Sequence, residues 1–185
     1  IGDRAFSEDP EIVARLGLSV CRTLLSAGVV PVIKHLPGHG RATCDSHKDL
    51  PRVGAGYADL CGSDFNPFRS VSKSDVASKL WGMVAHVIYE TIDPENPSSV
   101  SRKIIEDVIR GEIGFDGFLV SDDLDMDALC CVGDVSARAL ACIEAGCDAA
   151  LYCSGQLEDM RCIQKTVPNL SAKARERLHS SLKPA

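Results

Sequence analysis

No run of apolar residues in this sequence approaches the roughly 20 that a membrane-spanning helix needs, which argues against a helical membrane span. Positive charge is not in excess either. Lys and Arg number 20 against 26 Asp and Glu, giving a formal net charge of −6 and a pI of about 5.3. Such a chain lacks the basic surface that a polyanion selects, so neither a nucleic-acid nor a membrane partner is expected. The spacings CxxC, HxH and HExxH do not occur, and no metal or other cofactor is expected. Nine cysteines are present, at 21, 44, 61, 130, 131, 142, 147, 153 and 162. An odd count without those spacings points to reduced thiols and a cytoplasmic protein rather than a disulfide framework. There is no repeat of fixed period and no low-complexity segment. The first residue is Ile, and no charged-then-apolar leader precedes Gly2-Asp3-Arg4, so the chain is expected to start inside a longer reading frame.

What is present is a globular composition, 45% hydrophobic and 25% charged over 185 residues, enough for one domain with a sizeable core. Apolar runs alternate with amphipathic stretches, the pattern of an α/β fold built on a parallel sheet. Strands are predicted at Val29–Ile33, Leu80–His86, Gly117–Asp122 and Cys147–Cys153. Ser7-Glu8-Asp9-Pro10 signals a helix start that Gly28 ends. Ser101 opens a helix with Ile104, Ile105, Val108 and Ile109 on one face. Further helices are predicted over Asp134–Gly146, Gln156–Thr166 and Ser171–Leu182, the last with a basic, solvated face. Phe65 and Phe68 are predicted core residues.

Chemistry-bearing residues concentrate where the predicted strands end. Lys34-His35-Leu36-Pro37-Gly38-His39-Gly40-Arg41 follows the first strand and leads to Asp45-Ser46-His47. A surface turn rarely collects three histidines, two cations and an acid, and parallel α/β folds place their sites at the carboxyl ends of strands. A second dense cluster, Ser121-Asp122-Asp123-Leu124-Asp125, closes the third strand. A helix N-terminus enriched in Asp accounts for Asp125 and Asp127 but poorly for Asp122.

The segment Lys34 to Gly40 with its Asp-Ser-His resembles the catalytic domain of glycoside hydrolase family 3, and specifically its bacterial β-N-acetylglucosaminidase branch of peptidoglycan recycling. Four further stretches match in the same order: residues 1–6, Ala85-His86-Val87, Gly114-Phe115-Asp116-Gly117 into Ser121-Asp122-Asp123-Leu124, and Ala145-Gly146-Cys147-Asp148. The resemblance implies a TIM (β/α)8 barrel. A whole barrel takes roughly 250 residues, so residues 1–185 are expected to form its later part, with the N-terminal strands missing.

The resemblance also implies a retaining exo-β-N-acetylhexosaminidase that removes terminal GlcNAc from muropeptides. Retention needs a nucleophile and an acid/base flanking the scissile bond. Asp122 is the candidate nucleophile, with Asp123 as its competitor. The family assigns acid/base work to a histidine oriented by an aspartate two residues earlier, here His47 and Asp45. Histidine titrates near neutrality and so can give and take a proton within one cycle. Arg4, Lys34 and His35 are the expected sugar-binding residues, and His39 is read as shaping its loop. Gly38 and Gly40 are read as letting that loop bend and swing. The protein is expected to act as a monomer on a small carbohydrate. Three alternatives remain: a family 3 β-glucosidase, a metal-dependent amidohydrolase using the histidines, and a sugar-binding remnant without turnover.

Overall fold

A computed structural model describes residues 4–42 and 50–183 of the chain. Asp9 starts the first helix, α1 (Pro10–Ser26), by accepting the N–H groups of Glu11 at 2.8 Å and Ile12 at 3.4 Å. Pro10 has no N–H to satisfy there. Gly28, at φ +77°, turns the chain into the first strand.

Four parallel strands make the main sheet, in the order β1 (Val32–Leu36), β3 (Trp81–Val84), β5 (Phe118–Asp123) and β6 (Ala149–Leu151). A parallel pair, β2 (Arg52–Val53) and β4 (Ile88–Tyr89), forms a separate ribbon. Each crossover between strands of the main sheet carries helices, as parallel pairing requires. They are α2 (Tyr57–Asp59) and α3 (Asn66–Ser72) before β3, a wide-turned helix Ile104–Glu112 before β5, and α4 (Val135–Ala145) before β6. Two helices follow β6, α5 (Leu157–Thr166) and α6 (Ala172–Leu182). This is the α/β architecture with a parallel sheet that the sequence pattern predicts.

The core lies between sheet and helices. Ser101 caps the Ile104–Glu112 helix by accepting the Ile104 N–H at 3.1 Å, and Ile104, Ile105, Val108 and Ile109 are all buried. Phe65 is fully buried and Phe68 packs partly against the same cluster.

The structure differs from the sequence reading in three main respects. The first strand is Val32–Leu36 rather than Val29–Ile33, because pairing with β3 starts where the Trp81 N–H meets the Pro31 carbonyl and persists to Leu36. Lys34 and His35 therefore lie within the strand. Among the described residues it pairs with β3 alone, and Val29 is 50% and Val32 40% exposed. The second strand stops at Val84, and His86 lies beyond it.

The third difference concerns α6. Lys173, Arg175 and His179 form the expected exposed basic face, but Arg177 is not part of it. Arg177 reaches inward to Asp148 at 2.9 Å and Asp116 at 2.5 Å, while the Trp81 indole donates to Ser181 at 2.8 Å. Asp148 is buried and also accepts from Arg110 at 3.0 Å and from the Leu119 N–H at 2.9 Å. The cluster sits at the amino ends of β5 and β6, the face of such folds opposite the one that carries chemistry. All eight cysteines among the described residues are free thiols; Cys44 lies outside them.

Candidate active site

The carboxyl ends of β1 and β5 bring two of the expected residues together. His35 Nε2 lies 3.7 Å from Asp122 Oδ2, with both side chains only 12% and 15% exposed. That distance exceeds a hydrogen bond. Burial drives the His35 pKa down to about 4, against the pull of Asp122 and with help from His39, Lys34 and Arg4. His35 is therefore a neutral imidazole at pH 7. A neutral ring brings no positive charge to Asp122, where an imidazolium would.

Asp122 is held from its backbone side. Its Oδ1 accepts the Asp123 N–H at 2.9 Å, and its carbonyl accepts the Ser121 hydroxyl at 2.7 Å. Oδ2 faces His35. Asp123, the competitor, uses Oδ1 to accept the N–H groups of Cys153 at 3.1 Å and Asp125 at 3.3 Å. Asp125 in turn accepts the Ser154 hydroxyl. The second acid thus knits the loops after β5 and β6 together.

His39 stands beside His35, ring centroids 5.3 Å apart and tilted by 60°. Burial lowers its pKa as well. The turn that carries it is clamped: the Tyr89 hydroxyl donates to the Gly38 carbonyl, and Arg41 donates to Asp64 at 2.7 Å and to Ser63 at 2.9 Å. A Cβ at Gly38 would lie 2.9 Å from the Asp64 Cβ. Gly38 is therefore needed for close approach, not for the free bending read from the sequence.

Lys34 and Arg4 are exposed, and the charges of both bear on His35. Asp45 and His47 lie outside the described residues. Among the described residues no three His, Cys, Asp or Glu side chains form a metal-ligand cluster. Sequence reasoning missed what surrounds His86. This residue is fully buried, with Nδ1 2.7 Å from the Ser99 hydroxyl and Nε2 3.0 Å from the Asp123 carbonyl. The Ala-His at a strand end was a visible signal; Ser99, one serine among several in its loop, carried none.

Comparison with known proteins gives one consistent result. The model of the glycosyl hydrolase family 3 N terminal domain matches residues 1–183. A beta-hexosaminidase from Aromatoleum aromaticum is 38% identical over 180 residues, covering 97% of this chain and 49% of that protein. A beta-hexosaminidase from Alkalilimnicola ehrlichii is 44% identical over 155 residues, 83% of this chain and 43% of its own length. The chain thus spans about half the length of these curated relatives. Among solved structures, NagZ from Neisseria gonorrhoeae in complex with N-trifluoroacetyl-D-glucosamine superposes with a TM-score of 0.85 at 33% identity, over 100% of this chain and 52% of that one. A family 3 β-N-acetylglucosaminidase from Paenibacillus sp. gives 0.83 at 32%, over 97% and 35%.

Proposed function

The chain belongs to glycosyl hydrolase family 3, and from that premise we propose that its protein is a retaining exo-β-N-acetylhexosaminidase acting on terminal β-linked GlcNAc. Residues 1–185 form the later part of its catalytic (β/α) barrel. The observation that carries the reading is the Asp122 carboxylate. It stands at the carboxyl end of a central strand, one oxygen fixed by the Asp123 N–H at 2.9 Å and the other directed at a neutral His35.

The chemistry follows from that carboxylate. Asp122 Oδ2 attacks the anomeric carbon while the glycosidic C–O bond breaks, and His47 delivers its proton to the leaving oxygen. Asp45 orients the His47 ring and stabilises its imidazolium. A water that gives a proton back to His47 then attacks the anomeric carbon, the bond to Asp122 breaks, and the β configuration is restored. Neutral His35 donates to, or accepts from, a sugar hydroxyl. Lys34 and Arg4 supply charged donors at the rim.

The substrate class is GlcNAc linked to peptidoglycan-derived muropeptides. Beta-hexosaminidase relatives at about 40% identity support the hexosamine, and the Asp45-Ser46-His47 dyad supports the recycling branch. A cytoplasmic monomer fits eight free thiols among the described residues. The test uses protein expressed from the complete reading frame, with aryl β-GlcNAc and aryl β-glucoside as substrates and EDTA present. Cleavage of the GlcNAc substrate alone, with the β-anomer of the sugar appearing first by proton NMR, is the expected result. Preference for the glucoside, α-product, or loss of activity on chelation would overturn it.

A further inference from the structure

We infer that His86 is a positioning residue for the Asp122 carboxylate, acting through the Asp123 backbone and fixed in one tautomer by Ser99; the inference rests on the reading of Asp122 as nucleophile.

The backbone around Asp122 lies where the sheet stops holding it. The β3 ladder pairs with β5 only as far as Val84 with Ser121. On the other side the β5–β6 register breaks between Val120 and Asp123. Side chains take over where ladder bonds end. Ser121 Oγ accepts the Leu151 N–H at 3.0 Å and donates to the Asp122 carbonyl at 2.7 Å. His86, two residues past Val84, puts a ring nitrogen 3.0 Å from the Asp123 carbonyl. Its imidazole stands where another strand residue's N–H would have been.

The tautomer follows from what each neighbour can do. A carbonyl oxygen only accepts, so Nε2 carries the proton and donates to Asp123. Nδ1 is then a bare lone pair and accepts the Ser99 hydroxyl proton at 2.7 Å. Ser99 is itself fully buried, and the Cys147 thiol faces its carbonyl at 3.8 Å. Burial holds the His86 pKa down, which keeps the ring neutral and the tautomer stable.

The Asp123 residue transmits this to the nucleophile. Its N–H holds Asp122 Oδ1 at 2.9 Å, and its carbonyl is the group His86 holds. The two groups belong to successive planar peptide units joined at the Asp123 Cα, so a shift of the held carbonyl displaces that Cα and with it the peptide whose N–H aims the carboxylate. His86 touches no position open to a sugar, because it is 0% exposed and both ring nitrogens are engaged. Its effect therefore falls on the reacting geometry and not on sugar binding.

The experiment compares His86→Leu, His86→Gln and Ser99→Ala with wild type and Asp122→Asn, in protein from the complete reading frame, on an aryl β-GlcNAc. Gln places an amide N–H near the Nε2 position, and Leu places none. His86→Leu is expected to lower kcat by about 100-fold with KM within about twofold, since a 1 Å misplacement costs about that much. His86→Gln is expected to recover kcat to within about fivefold of wild type, and Ser99→Ala to fall between them. If His86→Leu does not fold, the Gln and Ala variants carry the comparison. Wild-type kcat in His86→Leu, or equal losses in Leu and Gln variants with KM raised, overturns the positioning role alone, provided Asp122→Asn is inactive. No hydrolysis by wild type, or hydrolysis surviving in Asp122→Asn, overturns the nucleophile reading and this inference with it.

Discussion

His35 Nε2 lies 3.7 Å from Asp122 Oδ2 although their strands do not touch, because β3 runs between β1 and β5. The two side chains meet across the end of that third strand, where both are largely buried.

Burial of that imidazole has a consequence for stability. The His35 pKa falls to about 4 in the folded protein, and those of His39 and His86 are lowered in the same direction. In the unfolded chain each titrates near 6.5. As pH drops from 6.5 toward 4 the unfolded chain takes up protons that the folded chain refuses, so stability is greatest above 6.5 and falls through that window. His35 alone accounts for about 3 kcal/mol over the window, at about 1.4 kcal/mol per pH unit. The urea midpoint is expected to be lower at pH 5 than at pH 7, and the difference smaller in His35→Asn. An equal difference in both proteins would contradict this.

At the opposite end of the strands, Asp148 is expected to be among the most sensitive positions for folding. Its carboxylate is 5% exposed and accepts from Arg110, Arg177 and the Leu119 N–H. Asp148→Asn leaves two guanidinium groups facing one neutral amide, and removing one partner of a buried ion pair costs about 3 kcal/mol or more. Denaturant unfolding checks this. A loss below about 1 kcal/mol would show that solvent or Asp116 compensates.

Two glycines, Gly82 in β3 and Gly117 just before β5, differ in what a methyl group would strike. At Gly117 a Cβ would lie 2.4 Å from the Leu80 carbonyl oxygen, which is backbone. At Gly82 it would lie 2.5 Å from Leu36 Cδ1 and 2.7 Å from Phe115 Cε1, side-chain ends that can shift. Overpacking costs about 1–3 kcal/mol. Gly117→Ala is expected at or above the top of that range, and Gly82→Ala lower. Thermal melts of the two variants decide the order, and the reverse order would contradict it.

Much of this was legible in the sequence where local chemistry decides the outcome. Asp9 before Pro10, Asp134 before α4 and Ser171 before α6 all cap their helices, because capping needs only a side chain within three residues. The alternation of strands and helices likewise set the parallel sheet. Long-range pairing was not legible. Val29–Ile33 reads as a strand, but hydrogen bonding to β3 decides where the strand begins and carries it on to Leu36. Arg177 reads as a solvated charge because its partners, Asp116 and Asp148, are 61 and 29 residues away in sequence. At the site, Asp122 and Asp123 are indistinguishable by type. Their surroundings differ: Asp123 ties two loops through Cys153 and Asp125, while Asp122 Oδ2 faces His35.

The most direct test is the kcat of Asp122→Asn beside that of Asp123→Asn, on an aryl β-GlcNAc with protein from the complete reading frame. Asp122→Asn is expected to lose at least about 10³-fold, because a neutral amide replaces the nucleophilic carboxylate, equivalent to about 4 kcal/mol of transition-state stabilisation. Asp123→Asn keeps an acceptor oxygen for the Cys153 and Asp125 amides and is expected to lose much less. Substantial turnover in Asp122→Asn, with Asp123→Asn inactive, would exchange the roles of the two acids and contradict the proposed mechanism.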